Sequence, residues 1–231
     1  MQTVVTLIRR PYLKLLISFL SCLSLSFDGV AQKSDSLKST KSYWPTGIRF
    51  GTDLIALAKI PWSKEFDGWE ASVDLDLDRY YFTVELGNWE KMKLSPSQSY
   101  SNSGSYFRIG GDANFLLKDP DRNMFFVGLR YGQASFSEQL SYSISDVVFG
   151  DVQKTVSNKS MRAGWGEITV GLRVKIWKEL WMGYTARLKV APTVGTAGEF
   201  IPYDIPGYGL AAKKSYWGFN YQLYWRFPIR N

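Results

Sequence analysis

The stretch that most constrains this chain lies at its C-terminal end, in residues 216–227. Trp217, Phe219, Tyr221, Leu223, Trp225 and Phe227 alternate there with Gly218, Asn220, Gln222, Tyr224 and Arg226. Side chains alternate across a β-strand, so one face is a wall of large apolar groups and the other is polar. A soluble sheet rarely lines up six such side chains beside a chain end, whereas a strand facing lipid requires them.

The same period of two runs through the chain from Trp44 onward, in eight segments counting the last. The second is the clearest, with Trp69, Ala71, Val73, Leu75 and Leu77 set against Glu70, Ser72, Asp74, Asp76 and Asp78. The first runs from Ile48 to Ala56, and most segments supply the roughly 9–11 residues that a tilted membrane strand needs. Alternation alone does not say which face points inward, because a lipocalin-type barrel turns its apolar face in and a membrane barrel turns it out. The connections decide. Links at 78–79, 118–123 and 177–179 are short, and links at 59–67, 88–104, 137–162 and 191–215 are long. Short turns on one rim and long loops on the other are the pattern of an outer-membrane barrel. The expected fold is therefore all-β: an eight-stranded antiparallel transmembrane β-barrel over 44–231, with short periplasmic turns and long extracellular loops.

The start of the chain is an address. Arg9, Arg10 and Lys14 precede an apolar run over 15–27, followed by the small residues Gly29, Val30 and Ala31. This predicts a signal peptide over 1–31, cleaved after Ala31, since the run is too short for a spanning helix of roughly 20 residues. The single cysteine, Cys22, falls inside it, so the mature chain has no thiol. Residues 32–43 are polar without an apolar period and are expected to be a disordered lead-in.

Charge is distributed rather than clustered. The chain has 28 basic and 21 acidic residues, and without residues 1–31 the counts are 25 and 20. No basic stripe for nucleic acid is present. The polar strand faces carry Arg49, Asp53, Glu70, Asp74, Asp76 and Glu85 on the first three segments. Arg108 and Asp112 follow on the fourth, Arg130 on the fifth, Glu167 and Arg173 on the sixth and Arg187 on the seventh. Closing eight strands sets the acids of segments one to three opposite the bases of segments five to seven. An eight-stranded barrel is just wide enough for side chains to fill, so these groups are expected to form an interior charge network.

The chemistry that is missing narrows the function. The chain contains no histidine, which removes the imidazole triad and the commonest metal ligand. Without histidine or mature cysteine a zinc site is not expected, nor is any other cofactor. Asp74 and Asp76 share a face, but an interior acid–base network accounts for them better than paired-carboxylate hydrolysis does. The chain is not expected to be an enzyme.

The C-terminal strand resembles that of bacterial outer-membrane barrels, where it serves as an insertion signal; here residues 228–231 trail past Phe227. The segments 44–51, 106–112 and 165–167, together with the last strand, resemble an uncharacterised Bacteroidota family of small outer-membrane barrels. That resemblance implies an integral outer-membrane protein and no assigned activity. The expected partners are outer-membrane lipid and an envelope protein reached through the long loops, with Tyr142, Phe149, Phe200, Tyr203 and Tyr208 as contact residues. Two of the long links are not ordinary loops. Residues 140–145 alternate like a strand before the turn signal at Gly150 and Asp151, so segments five and six are expected to continue as a protruding hairpin. Segment 200–208 is too apolar and proline-rich for a solvated loop, and folding back over the barrel mouth is its other reading. A plugged barrel with a structural or interaction role leads. A narrow transport pore and a soluble periplasmic ligand-binding barrel are the alternatives.

Overall fold

The computed structural model describes residues 44–59, 65–146, 150–195 and 198–229. The signal peptide and lead-in expected over 1–43 lie outside the described residues, as does Phe149. The strands are β1 (Gly47–Asp53), β2 (Phe66–Leu77), β3 (Tyr80–Ser95), β4 (Gln98–Asn114), β5 (Met124–Asp146), β6 (Gly150–Trp177) and β7 (Leu180–Val194). Two short strands, β8 (Asp204–Ile205) and β9 (Gly209–Leu210), precede β10 (Ser215–Pro228). Each long strand pairs antiparallel with its neighbour, and β10 closes onto both β7 and β1, giving a closed eight-stranded barrel. Its wall is uneven, because β1 has 7 residues and β6 has 28.

The register follows the alternation. At the closing seam Ile48, Phe50 and Thr52 face Phe227, Trp225 and Leu223, while Arg49, Gly51 and Asp53 face Arg226, Tyr224 and Gln222. The first set points outward and the second inward. Phe50, Trp69, Phe82, Leu129, Val174, Trp217, Phe219 and Phe227 are all exposed on the outer surface. The interior holds the charged residues together with Tyr81, Phe126, Trp165, Trp181 and Tyr224. This polarity is inverted relative to a water-soluble barrel.

Two expectations about connections need correction. β1 ends at Asp53 rather than Ala56, and α1 (Leu54–Lys59) follows. Asp53 Oδ1 accepts the Ile55 N–H at 3.0 Å, a helix cap that turns the Leu-Ile-Ala-Leu-Ala-Lys run out of the sheet. The link at 88–104 is not a loop, and at 137–162 the strands continue as the protruding hairpin that the alternation of 140–145 predicts. β3 and β4 stay paired up to Ser95 and Gln98, and β5 and β6 up to Asp146 and Gly150. Beyond the apolar belt neither sheet face needs apolar residues, so Ser99, Ser101 and Ser103 extend the strand without a hydrophobic period to announce it.

These strands carry a four-stranded sheet above the barrel. A bulge in β6 keeps its inner face continuous: Phe136 pairs with Met161, but Glu138 pairs with Asn158. Ser160, at φ 56°, absorbs the extra residue, so that Asn158 and Met161 are both buried on the same side.

Interior glycines are fitted to specific neighbours. A Cβ on Gly132 would lie 2.4 Å from the Trp165 ring, which is itself buried. Gly132→Ala should therefore destabilise the barrel by about 1–3 kcal/mol through overpacking. Denaturant unfolding of the refolded protein in detergent would read this. A change within about 0.5 kcal/mol would mean that Trp165 is free to move away.

Candidate functional site

The interior is a ladder of ion pairs running from the short-turn rim to the long-connection rim. All twelve charged residues read from the sequence lie within it, and none is more than 5 % exposed. Near the short turns Arg226 lies 3.4 Å from Asp76. Above this, Asp74 accepts from Arg49 at 2.7 Å and from Arg173 at 2.5 Å. Arg173 also lies 3.4 Å from Asp112, which accepts from Arg130 at 2.8 Å.

Glu85 is the centre. It accepts from Arg108 at 2.6 Å and Arg187 at 2.9 Å, and it pairs with Arg130. Arg187 continues to Glu167 at 3.2 Å, and Arg108 pairs with Glu70. At the top, Asn220 donates to Asp53 at 2.5 Å and to Glu70 at 3.2 Å. The alternation brings these groups together because each strand turns one side chain in two inward, and the charged residues occupy those inward positions.

Aromatic rings fill the space between the rungs. Arg173 is sandwiched between Phe126 and Tyr224 at 4.8 and 4.7 Å. Arg49 lies over Tyr81 at 4.4 Å. Such contacts stabilise a guanidinium that has lost its water. These rings, with Asn220 and Arg226, belong to the interior although they were not among the charges singled out from sequence. Their inward parity was the available signal.

The second part of the site is a cap over the long-connection rim. Ile205 and Tyr208 are fully buried and pack with Ala134, Phe136, Met161, Ala163 and Trp165. Tyr208 meets Trp165 at 5.8 Å between ring centroids, and its hydroxyl donates to the Lys213 carbonyl at 2.6 Å. It is therefore not an exposed contact residue as expected. The small side chains of Ala134 and Ala163 leave room that the ring fills.

The other contact residues differ among themselves. Tyr142 and Phe200 are half-buried, and Tyr203 is 51 % exposed with its ring edge-on to Tyr100.

A row of four inward side chains holds the cap. Lys91, Asn102, Glu138 and Asn158 stand at one level, each opposite the next across β3, β4, β5 and β6. Asn158 donates to the Phe200 carbonyl at 2.9 Å and accepts its N–H at 3.3 Å. Glu138 accepts the Tyr203 N–H at 3.1 Å. Asn102 donates to the Asp204 carbonyl at 2.8 Å, and Lys91 meets the Asp204 carboxylate at 2.6 Å. Tyr100 donates to Glu138 at 2.7 Å. Burial, and then the bond to Glu138, push the Tyr100 hydroxyl well above its usual range, so it stays a donor. Further in, Lys189 donates to the carbonyls of Gly207 and Tyr208 at 2.7 and 3.1 Å.

The twelve interior charges are engaged with one another or with amide and hydroxyl groups, which suits a structural filling better than a reaction. Glu85→Ala would take a shared carboxylate from three buried arginines, leaving them with Glu70, Asp112 and Glu167, and should cost about 3–5 kcal/mol. Arg122→Ala, at a side chain 51 % exposed, should stay within about 0.5 kcal/mol. Reversible unfolding in detergent compares the two, and equal small effects would mean that the interior charges are solvated.

No curated protein matches this sequence. Residues 10–231 match the family described as Domain of unknown function (DUF6048), and the chain belongs to that family.

Proposed function

We propose that this chain is an integral outer-membrane β-barrel, exported with a cleaved signal peptide, whose lumen is plugged by its own side chains. Its role on this reading is structural or interactive, not enzymatic, and is exercised through the long-connection rim. The observation that carries the reading is the inverted polarity of the wall. Large apolar residues such as Leu129, Trp217 and Phe219 are 67, 59 and 53 % exposed on the outside, around an interior of buried ion pairs. In water such a surface would be an aggregation hazard, and in a bilayer it is the required one. Closure supports the reading as well, because a spanning sheet must leave no unpaired edge in lipid. The resemblance of the last strand to the insertion signal of outer-membrane barrels points the same way. The likeness to small Bacteroidota barrels suggests the kind of envelope in which the family works.

The alternatives fit less well. A soluble ligand-binding barrel would turn its apolar face inward. A transport pore needs a water column, where this barrel has Arg173, Arg187 and Glu85 with no measurable exposure. The exposed side chains of the cap, Ile201 at 86 % and Tyr203 at 51 %, form the surface proposed to meet an envelope partner.

Expressed with its signal peptide, the protein should fractionate with the outer membrane, migrate heat-modifiably on gels and give no conductance in planar bilayers. Recovery from the soluble periplasm would exclude the membrane reading, and stable unit conductance would replace the plug with a pore. Replacing Phe200, Ile201 and Tyr203 by Ser should leave insertion intact and remove the partners recovered from gently solubilised membranes. Unchanged recovery would exclude this surface as the interface.

A further inference from the structure

The row that holds the cap is short of hydrogen-bond donors. Asn102, Glu138 and Asp204 are each 2 % exposed. Among the described residues each has one oxygen without a partner: Asn102 Oδ1, Glu138 Oε1 and Asp204 Oδ1. The three residues form one cluster. Asn102 and Glu138 are directly opposite across β4 and β5, so both side chains stand side by side on the inner face. The Tyr100 hydroxyl touches both, at 3.1 and 2.7 Å. Asn102 Nδ2 also donates to the Asp204 main chain at 2.8 Å, so turning the amide over would set oxygen against oxygen. The free Asn102 Oδ1 is thus fixed by its surroundings.

Charge is unbalanced at the same place. The carboxylates around Arg173 and Arg187 are neutralised by guanidinium groups, whereas among the described residues Glu138 accepts only from the neutral Tyr100 hydroxyl and Tyr203 N–H. A buried carboxylate without a counter-charge is costly. Asp204 has Lys91, which reaches Oδ2 and leaves Oδ1 unused. A cleft of about 560 Å³ is lined by Asn102 and Glu138, and among its described lining residues Glu65, Asp67, Glu90 and Glu138 outnumber Lys91 and Lys159. It supplies both an entry path and an attractive field.

We infer that Asn102 Oδ1, Glu138 Oε1 and Asp204 Oδ1 bind a divalent cation of the calcium type beneath the cap, with water from the cleft completing its shell. Amide and carboxylate oxygens are the hard donors that calcium takes, and its flexible geometry suits a set drawn from two strands and a cap segment. Among the described residues no three His, Cys, Asp or Glu side chains converge on a metal. With two carboxylates and an amide, this site belongs to the weak class, with Kd on the order of 10⁻⁴–10⁻³ M. The ion would tie residue 204 of the cap to β4 and β5, so the cap closes more firmly when calcium is present.

The refolded full-length protein in detergent, stripped with EDTA and titrated with CaCl₂, tests this. At about ten times Kd the wild type should gain roughly 3 °C or more in Tm, and the cap around 198–210 should become harder to cleave with protease. Glu138→Gln keeps the shape and the bonds to Tyr100 and Tyr203, and it should remove both responses. Asp119→Asn with Asp121→Asn, in the exposed turn on the opposite rim, should leave them unchanged. Terbium luminescence excited through tyrosine, with Tyr100 touching Glu138, should saturate with TbCl₃ and be displaced by CaCl₂. Should Glu138→Gln fail to fold, that luminescence in the wild type, and its loss in Asn102→Leu, carries the decision. Absence of saturable binding, or a calcium response that survives in Glu138→Gln, overturns the site. Stabilisation by low pH alone would assign the free oxygens to a proton instead.

Discussion

The structure depends on the pairing of buried arginines with buried carboxylates across a closed sheet. A guanidinium enclosed without water is tolerable only when its hydrogen-bond donors are taken up and its charge is balanced, and the same holds in reverse for a carboxylate. Here the two requirements are met jointly. Glu85 on β3 serves Arg108, Arg130 and Arg187 from β4, β5 and β7, and Asp74 on β2 serves Arg49 and Arg173 from β1 and β6. Arg108 and Arg49 sit directly across from Glu85 and Asp74 on neighbouring strands, but Arg187 and Arg173 reach them from the far side of the wall, so those pairs exist only once the barrel has closed. The ladder need not add much net stability over an apolar filling of the same volume. What it adds is register: a slip of one residue in any strand would turn its charges onto the apolar outer surface and its apolar residues inward.

The cap applies the same logic at the open end. The barrel leaves space in its interior at Ala134 and Ala163, where a larger side chain would have filled it, and Ile205 and Tyr208 come in from the connection between β7 and β10. Polar contacts then hold the segment in place from three sides, through the row on β3 to β6, through Lys189 on β7, and through the Tyr208 hydroxyl on its own main chain. The outward residues Ile201 and Tyr203 are presented by a segment whose backbone is already fixed. An interface built on them would lose little conformational freedom on binding.

Much of the barrel was legible in the sequence because a strand with one polar and one apolar face writes its period directly. That held for the eight strands, for the inward position of Arg49, Glu85 and Arg187, and for the short turns at 78–79 and 177–179. It failed where the period carried no contrast. Strand continues through 99–103 with little apolar contrast between its faces, and backbone pairing leaves no trace in composition, whereas the continuation of β5 and β6 was announced by the alternation at 140–145. It failed again at Asp53, whose side chain caps a helix while also facing the interior. Tyr208 illustrates a third limit. Its burial depends on the vacancy left by Ala134 and Ala163, residues more than forty positions away.

The central claim is that the apolar face of the wall meets lipid while the charged face meets itself, and tryptophan reports on both. Trp217 and Trp225 lie on the outer face at 59 and 43 % exposure, and Trp165 and Trp181 lie inside at 2 % each. Single-tryptophan variants, reconstituted into bilayers with bromine-labelled acyl chains, would separate the two faces by fluorescence quenching. The account predicts strong quenching for Trp217 and Trp225 and little for Trp165 and Trp181. Equal quenching of all four, or protection of the outer pair, would contradict it.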